Sequence, residues 1–308
     1  SRKNGSYVYV FTSEYAGAGE ERIRSYIPYA QDRPLPCSDI YYSPEADTDR
    51  MLIVTALDTG APGRFTDKKA VFCSGDTMYV SRHAVYAAES IYGEGMSQTE
   101  LFKLSYQEGK LEAEGSMRFL GRLNNQFSMD EYDGYLRLVA TGEDYRSGSQ
   151  VNSLYVIDKD LEIVGSIHNL APDERIYSAR FMGEVGYFVT FRETDPLFSV
   201  DLSDPGAPKV LGELKITGFS SYLHGYSEGR LLGIGEEINP RTGEMEGLKL
   251  SMFNTEDPHH VTEADKKVLG EYYSSAALSN HKAVLIDTEQ NLFGFLACGY
   301  ERGAEAEE

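Results

Sequence analysis

The sequence predicts an all-β fold, a β-propeller of four-stranded antiparallel blades. Three observations predict it: a repeat of roughly 40 to 53 residues, turn residues at matching places within each repeat, and no stretch of helical periodicity. The repeat shows first in four Leu-led runs, Leu101-Phe-Lys-Leu-Ser-Tyr106, Leu154-Tyr-Val-Ile-Asp158, Leu197-Phe-Ser-Val-Asp201 and Leu248-Lys-Leu-Ser-Met-Phe253, whose starts lie 53, 43 and 51 residues apart.

Each Leu-led run is read as the third strand of a blade. The fourth strand follows a turn and carries a glycine: Leu111 to Met117, Leu161 to Ile167, Val210 to Ile216 and Val268 to Tyr273. The second strand precedes the Leu-led run at Val85 to Ala88, Tyr135 to Ala140, Gly186 to Thr190 and Arg230 to Ile234. The first strand precedes that one, at Thr77 to Val80, Gln126 to Met129, Tyr177 to Met182 and Tyr222 to Tyr226. Asp133-Gly134 and Glu228-Gly229 supply turns between first and second strands, and Asp204-Pro205 and Asp257-Pro258 between third and fourth.

Complete blades are therefore expected at about 76–121, 122–171, 172–217 and 218–273. Residues 274–300 add two strands of another, His281 to Asp287 and Leu292 to Ala297. At the N-terminal end, Tyr7 to Phe11 reads as a strand, Met51 to Leu57 as a third strand and Lys69 to Phe72 as a fourth. Residues 14–50 between them form a loop-rich insertion holding Tyr15, Tyr26, Tyr29, Tyr41 and Tyr42, as in an ordered surface loop. The expectation is one domain over residues 1–300 with partial blades at both ends, about six to seven in total, and an acidic tail at 301–308. Strands from both termini sharing one blade would remove exposed sheet edges.

Composition agrees with strands and tight turns. The 308 residues include 22 Tyr, 14 Phe, 30 Gly and no Trp. With 29 Lys and Arg against 49 Asp and Glu, the formal net charge is −20, which repels phosphate backbones and anionic membrane surfaces. Nucleic acid is accordingly excluded as a partner. A charge of this sign is otherwise a solvated surface. Cys37, Cys73 and Cys298 form no Cys-x-x-Cys or zinc pattern, and Cys73, inside Ala70-Val-Phe-Cys73, reads as a buried small hydrophobe.

Longer motifs carry a family resemblance. Asn125-Gln-Phe-Ser-Met-Asp-Glu131, Glu174-Arg-Ile-Tyr-Ser-Ala-Arg-Phe-Met-Gly183, Asp195-Pro-Leu-Phe-Ser-Val-Asp-Leu-Ser-Asp-Pro205 and Tyr222-Leu-His224 resemble the bacterial and archaeal secreted proteins with a C-terminal β-propeller distantly related to WD repeats. The resemblance runs from about Tyr26 to about Asp287. It implies an extracellular or cell-surface protein held by an N-terminal signal or membrane anchor, and it brings no established activity. The sequence departs from the family's pattern in lacking the anchor and the blade strands expected beyond Leu296.

Chemistry-bearing patterns are sparse. None of His83, His168, His224, His259, His260 and His281 stands in a zinc-protease arrangement, and His259-His260 reads as a solvated pair in an outer turn. Asp47-x-Asp49 and Asp158-x-Asp160 pair their oxygens as a Ca²⁺ site would, yet neither continues as an EF-hand loop, so turn-forming aspartate is the simpler reading and no cofactor is assigned beyond a Ca²⁺ alternative. No Gly-x-Ser-x-Gly elbow or third phosphate-loop glycine occurs. First-strand side chains converge on a propeller's central channel. Binding positions are thus expected at Gln126, Arg175, Tyr177, Arg180, Tyr222, His224 and His281, with no catalytic or metal residue. Asn124, Asn125, Phe219, Tyr272 and Tyr273 enrich the same face in aromatic and polar groups, a mixture suited to a protein loop or carbohydrate. The expected function is a non-enzymatic surface module binding a ligand or protein. The alternative is a hydrolase of glycans or peptides at the channel mouth.

Overall fold

A computed structural model describes residues 1–17, 26–31, 33–44, 48–92, 95–191 and 195–299. The expected acidic tail at 301–308, and Asp47, lie outside the described residues. The chain divides into two compact units, one of residues 1–136, 142–148 and 157–163, the other of 137–141, 149–156 and 164–308.

The first sheet belongs to the first unit. It is built from β1 (Arg2–Asn4), β2 (Tyr7–Tyr15), β6 (Arg50–Asp58), β7 (Phe65–Phe72) and β5 (Ile40–Tyr41), in that order. Its neighbours are antiparallel except β5, which runs parallel to β7 with Ile40 opposite Ala70 and Tyr41 opposite Val71. A ribbon of β3 (Tyr29–Ala30) and β4 (Arg33–Pro34) precedes β5. The expected insertion is thus partly sheet. Strands of two or three residues show no period, which is why the sequence does not announce β1 or β5. Burial holds the insertion in place: Ala30 and Leu35 pack with Ile53 and Ala70, and Ile40 and Phe65 close over them.

A second sheet follows in the same unit: β8 (Thr77–Val80), β9 (Ala84–Ile91), β10 (Gln98–Gln107) and β11 (Lys110–Leu120). Tyr9, Leu52, Val54 and Val71 of the first sheet share one core with Val85, Phe102, Leu104 and Tyr106 of the second. A third sheet orders β12 (Met129–Tyr132), β13 (Tyr135–Glu143), β14 (Gln150–Ile157) and β15 (Ile163–Leu170), its residues divided between the units.

The second unit holds two more four-stranded sheets. One has β16 (Arg175–Met182), β17 (Val185–Phe191), β18 (Asp195–Asp201) and β19 (Lys209–Ile216); the other has β20 (Phe219–Ser227), β21 (Arg230–Ile238), β22 (Met245–Asn254) and β23 (Thr262–Leu269). Both are antiparallel throughout. Tyr187, Val189 and Leu197 of the former meet Phe219, Leu223, Leu231 and Phe253 of the latter in a common core. Two ribbons complete the unit, β24 (Tyr272–Ser274) with β27 (Cys298–Gly299) and β25 (Val284–Asp287) with β26 (Leu292–Phe295).

Second and third strands are buried on both faces, which explains why they read as near-continuous apolar runs; fourth strands such as β15 and β23 stay largely exposed. The fourth-strand glycine has a packing reason. A Cβ on Gly165 would overlap the carbonyl oxygen of Pro205, and one on Gly212 would lie 2.8 Å from that of His259. Pro205 and His259 occupy the third-to-fourth turn of the next sheet, so the glycine lets each turn lie against the strand before it. Gly115 faces Leu161 in the same relation within the first unit, at 3.5 Å.

Four expected strands are displaced. Gln126–Ser128 is a 3-10 turn and the strand begins at Met129, because the Asn125 side chain accepts the Phe127 N–H at 2.9 Å and Ser128 Oγ accepts the Asn125 N–H at 3.3 Å. Leu161, with φ +65°, sits in a turn in which Asp158 Oδ1 accepts the N–H groups of Asp160 and Glu162, so β15 starts at Ile163. The run Val268 to Tyr273 breaks at Gly270: β23 ends at Leu269 and Tyr272 pairs with β27 instead. His281–Ala283 is a 3-10 turn in which the Asn280 side chain accepts the Lys282 N–H at 3.0 Å, and β25 begins at Val284.

Candidate functional site

The first strands β16 and β20 carry the site, and both are shaped by a bulge. Pairing with the second strand skips Tyr177 in β16 and Ser221 in β20. An extra residue re-aims the side chains beyond it. After the bulge the strands correspond: Ser178 matches Tyr222, and Arg180 matches His224. Ser178 Oγ donates to the Ser220 carbonyl at 2.5 Å, tying one strand to the other.

That tie brings Arg180 and His224 together. Arg180 Nη2 lies 3.4 Å from His224 Nδ1, and Tyr222 Oη lies 2.8 Å from the same nitrogen. Both neighbours are donors, so Nδ1 accepts and the imidazole proton resides on Nε2. Burial and the Arg180 charge push the His224 pKa down to about 4, which keeps the ring neutral at physiological pH. Burial raises the Tyr222 phenol, against the pull of Arg180. His281 stands in the 3-10 turn before β25. Its pKa is lowered by burial, then by Lys282 and Arg180.

Arg175 and Tyr177 form a second group at the start of β16. The guanidinium lies over the Tyr177 ring at 4.3 Å, and that ring meets Phe219 at 4.8 Å. Phe219 is buried, so this part of the expected face is packing as well as surface. Gln126 belongs to the first unit, where it opens the 3-10 turn described above. Tyr272 and Tyr273 are exposed on β24.

Sequence reading did not find Lys282, whose signal was only its adjacency to His281. Nor did it single out Lys249, which is fully buried on β22, donates to the Thr217 carbonyl, and pairs with Glu263 at 3.4 Å and Glu237 at 3.8 Å. Lys266 approaches Glu237 at 3.2 Å. Burial lowers the Lys249 pKa, opposed by the two carboxylates. A charged residue inside the apolar run Leu248-Lys-Leu was the available hint.

Other chemistry-bearing residues resolve into turns and supports. His260 Nδ1 bonds Asp257 Oδ2 at 2.8 Å in an exposed turn, and His168 lies 3.2 Å from Ser153 Oγ and 3.0 Å from Ser166 Oγ. All three cysteines are free; Cys73 is buried and its thiol is pushed up to about 12, chiefly by burial. Among the described residues no three His, Cys, Asp or Glu side chains are grouped to hold a metal, and no helix is long and apolar enough to cross a membrane.

Repeated four-stranded antiparallel sheets define this protein as an all-β propeller. The chain belongs to the β-propeller domain family, whose description matches residues 1–307. It is 49% identical over 204 residues to an uncharacterised protein of Archaeoglobus fulgidus, a match covering 66% of this chain and 30% of that protein. It is 40% identical over 200 residues to an uncharacterised protein of Methanocaldococcus jannaschii, covering 65% and 30%. The match thus spans about 30% of the length of these curated relatives. Among solved structures, a subtype N10 neuraminidase-like protein of a little yellow-shouldered bat isolate aligns at 8% identity and TM-score 0.39, covering 72% of this chain and 75% of that one.

Proposed function

We infer that the chain is a non-enzymatic extracellular binding module that presents a ligand- or protein-binding face at the cell surface. The observation that carries this reading is the meeting of Arg180, Tyr222 and His224 in one unit. These groups offer hydrogen-bond donors and positive charge. Such a set suits the carboxylate or carbonyl oxygen of a surface protein or glycan. Glycoside hydrolysis draws on a pair of carboxylates, and the chemistry assembled here is instead an arginine, a histidine and a phenol. The net charge of −20 opposes nucleic acid as the partner. The family resemblance supports an extracellular place, with membrane attachment through an anchor outside this chain.

Affinity capture from a cell-envelope extract tests the reading. Immobilised wild-type chain is expected to retain a protein or glycan that Arg180→Glu and His224→Leu lose. Lys159→Glu, at a side chain 78% exposed, is expected to retain it. Capture that is equal on all four proteins would refute the assignment of this face.

A further inference from the structure

A cavity of about 1330 Å³ opens in the first unit. Its back wall is Tyr9 and Tyr106, buried with ring centroids 4.3 Å apart. Both hydroxyls are fixed: Tyr9 accepts the Gly109 N–H at 3.0 Å, and Tyr106 donates to the Ser81 carbonyl at 2.5 Å. Tyr7 and Tyr41, half-buried, form its sides. The β10–β11 turn is locked against the first sheet, since Thr66 Oγ1 donates to the Gly109 carbonyl at 2.9 Å and the Leu111 N–H donates to Asp67 at 3.0 Å. Glycine is required at 109. Its φ is +74°, and a Cβ there would stand 2.5 Å from the Tyr7 ring. Four hydrogen bonds and a close backbone approach make the cavity preorganised rather than a gap between mobile loops.

Its chemistry differs from the rest of the surface. The lining sets Lys69, Arg82 and Lys110 against Asp67, Glu108 and Glu112. Lys69 is paired with Asp39 at 2.6 Å, which leaves Arg82 and Lys110 beside three carboxylates. A phosphate ligand would call for surplus positive charge, and an apolar peptide for an apolar groove. The half-buried rings of Tyr7 and Tyr41, beside donors and acceptors of both signs, match an uncharged ligand with C–H faces to lie on those two rings and hydroxyls to bond the charged groups. The volume exceeds the roughly 300–1,000 Å³ usual for drug-sized sites, which favours an elongated ligand. We propose that this cleft, walled by Tyr7, Tyr9, Tyr41 and Tyr106 and rimmed by Arg82 and His83, is a binding site for a neutral oligosaccharide. None of its lining residues belongs to the group around Arg180.

Saturation-transfer NMR and calorimetry on the full chain test the proposal, with cellotetraose, maltotetraose, chitotetraose and tetra-alanine as probes. At least one tetrasaccharide is expected to bind saturably and to shift the signals of ring-labelled tyrosines. The Arg82→Ala/His83→Ala double variant changes two exposed side chains, so the fold is retained. It is expected to weaken Kd by roughly fivefold or more, the effect of losing a charge-assisted hydrogen bond. Lys110→Ala provides a second such variant. Arg180→Ala is expected to bind the sugar as the wild type does, so failure here and failure of the Arg180 face are separate results. The proposal is overturned if no sugar binds with Kd below about 10 mM, if only tetra-alanine binds, or if the rim variants bind as tightly as the wild type.

Discussion

His224 should make the fold sensitive to mild acid, and the size of the effect follows from its surroundings. Burial first, and the Arg180 charge second, place its pKa at about 4 against an ordinary 6.5. The unfolded chain therefore takes up a proton as pH falls through about 6.5, while the folded chain declines it until about 4. The contribution of this residue is fully present above pH 6.5 and is lost as pH falls from there toward 4. Between pH 7 and pH 5 the full shift corresponds to a loss of about 2 kcal/mol, and partial solvent access reduces this to about 1–2 kcal/mol. The measurement is urea unfolding of the wild type and His224→Gln at both pH values. Glutamine keeps an acceptor for Tyr222 and Arg180 but does not titrate. Other groups, including His281, cancel in the difference between the two proteins. Equal loss of stability in both would refute the reasoning, as would an imidazole that titrates near 6.5 in the ¹⁵N spectrum of the folded wild type.

Glycine-to-alanine changes at Gly165 and Gly212 on fourth strands, and at Gly270 just past one, should rank by the space each glycine has. Gly165→Ala, against the Pro205 carbonyl, is expected to cost about 2–3 kcal/mol, and Gly212→Ala, 2.8 Å from the His259 oxygen, about 1–2 kcal/mol. Gly270→Ala, whose nearest neighbour is the Glu246 oxygen at 3.5 Å, is expected to be near neutral in thermal melts. An aromatic disulfide reagent at pH 8 should titrate two thiols per native chain, Cys37 and Cys298, with Cys73 reacting only in denaturant. Lys249→Met strips the buried partner from Glu237 and Glu263, and a loss of about 3–5 kcal/mol is expected in urea unfolding. Replacing Lys249, Glu237 and Glu263 together by apolar residues of like volume should recover most of it.

The candidate site was half legible before folding. His224 and Tyr222 could be placed on a first strand from the alternation alone, since Tyr222 to Tyr226 lies inside β20. Their meeting with Arg180 could not. It depends on a one-residue bulge in each of two strands, and nothing in Arg175-Ile-Tyr177 or Ser220-Ser221 announces that pairing skips a residue there. Gln126 and His281 were expected on strands and stand in 3-10 turns instead, because Asn125 and Asn280 offer their side chains to nearby N–H groups and outcompete the ladder. The tyrosine cleft was invisible as a site: Tyr7, Tyr41, Asp67, Arg82 and Tyr106 come from five separate strands and turns.

What the sequence by itself determined is the repeating blade, because strand burial and turn chemistry act over a few neighbouring residues and recur with each unit. Asp133-Gly134, with φ of +50° and +80°, could turn a hairpin on local energetics alone, and the apolar second and third strands had to be covered on both faces. Tertiary structure decided what each regular position is for. The recurring glycine became a seat for the next sheet's turn, a lysine in an apolar run became the centre of a buried ion group, and Arg180 became the neighbour that keeps His224 neutral. Each depends on a partner a dozen or more residues away, and distance along the chain leaves no trace in a local pattern.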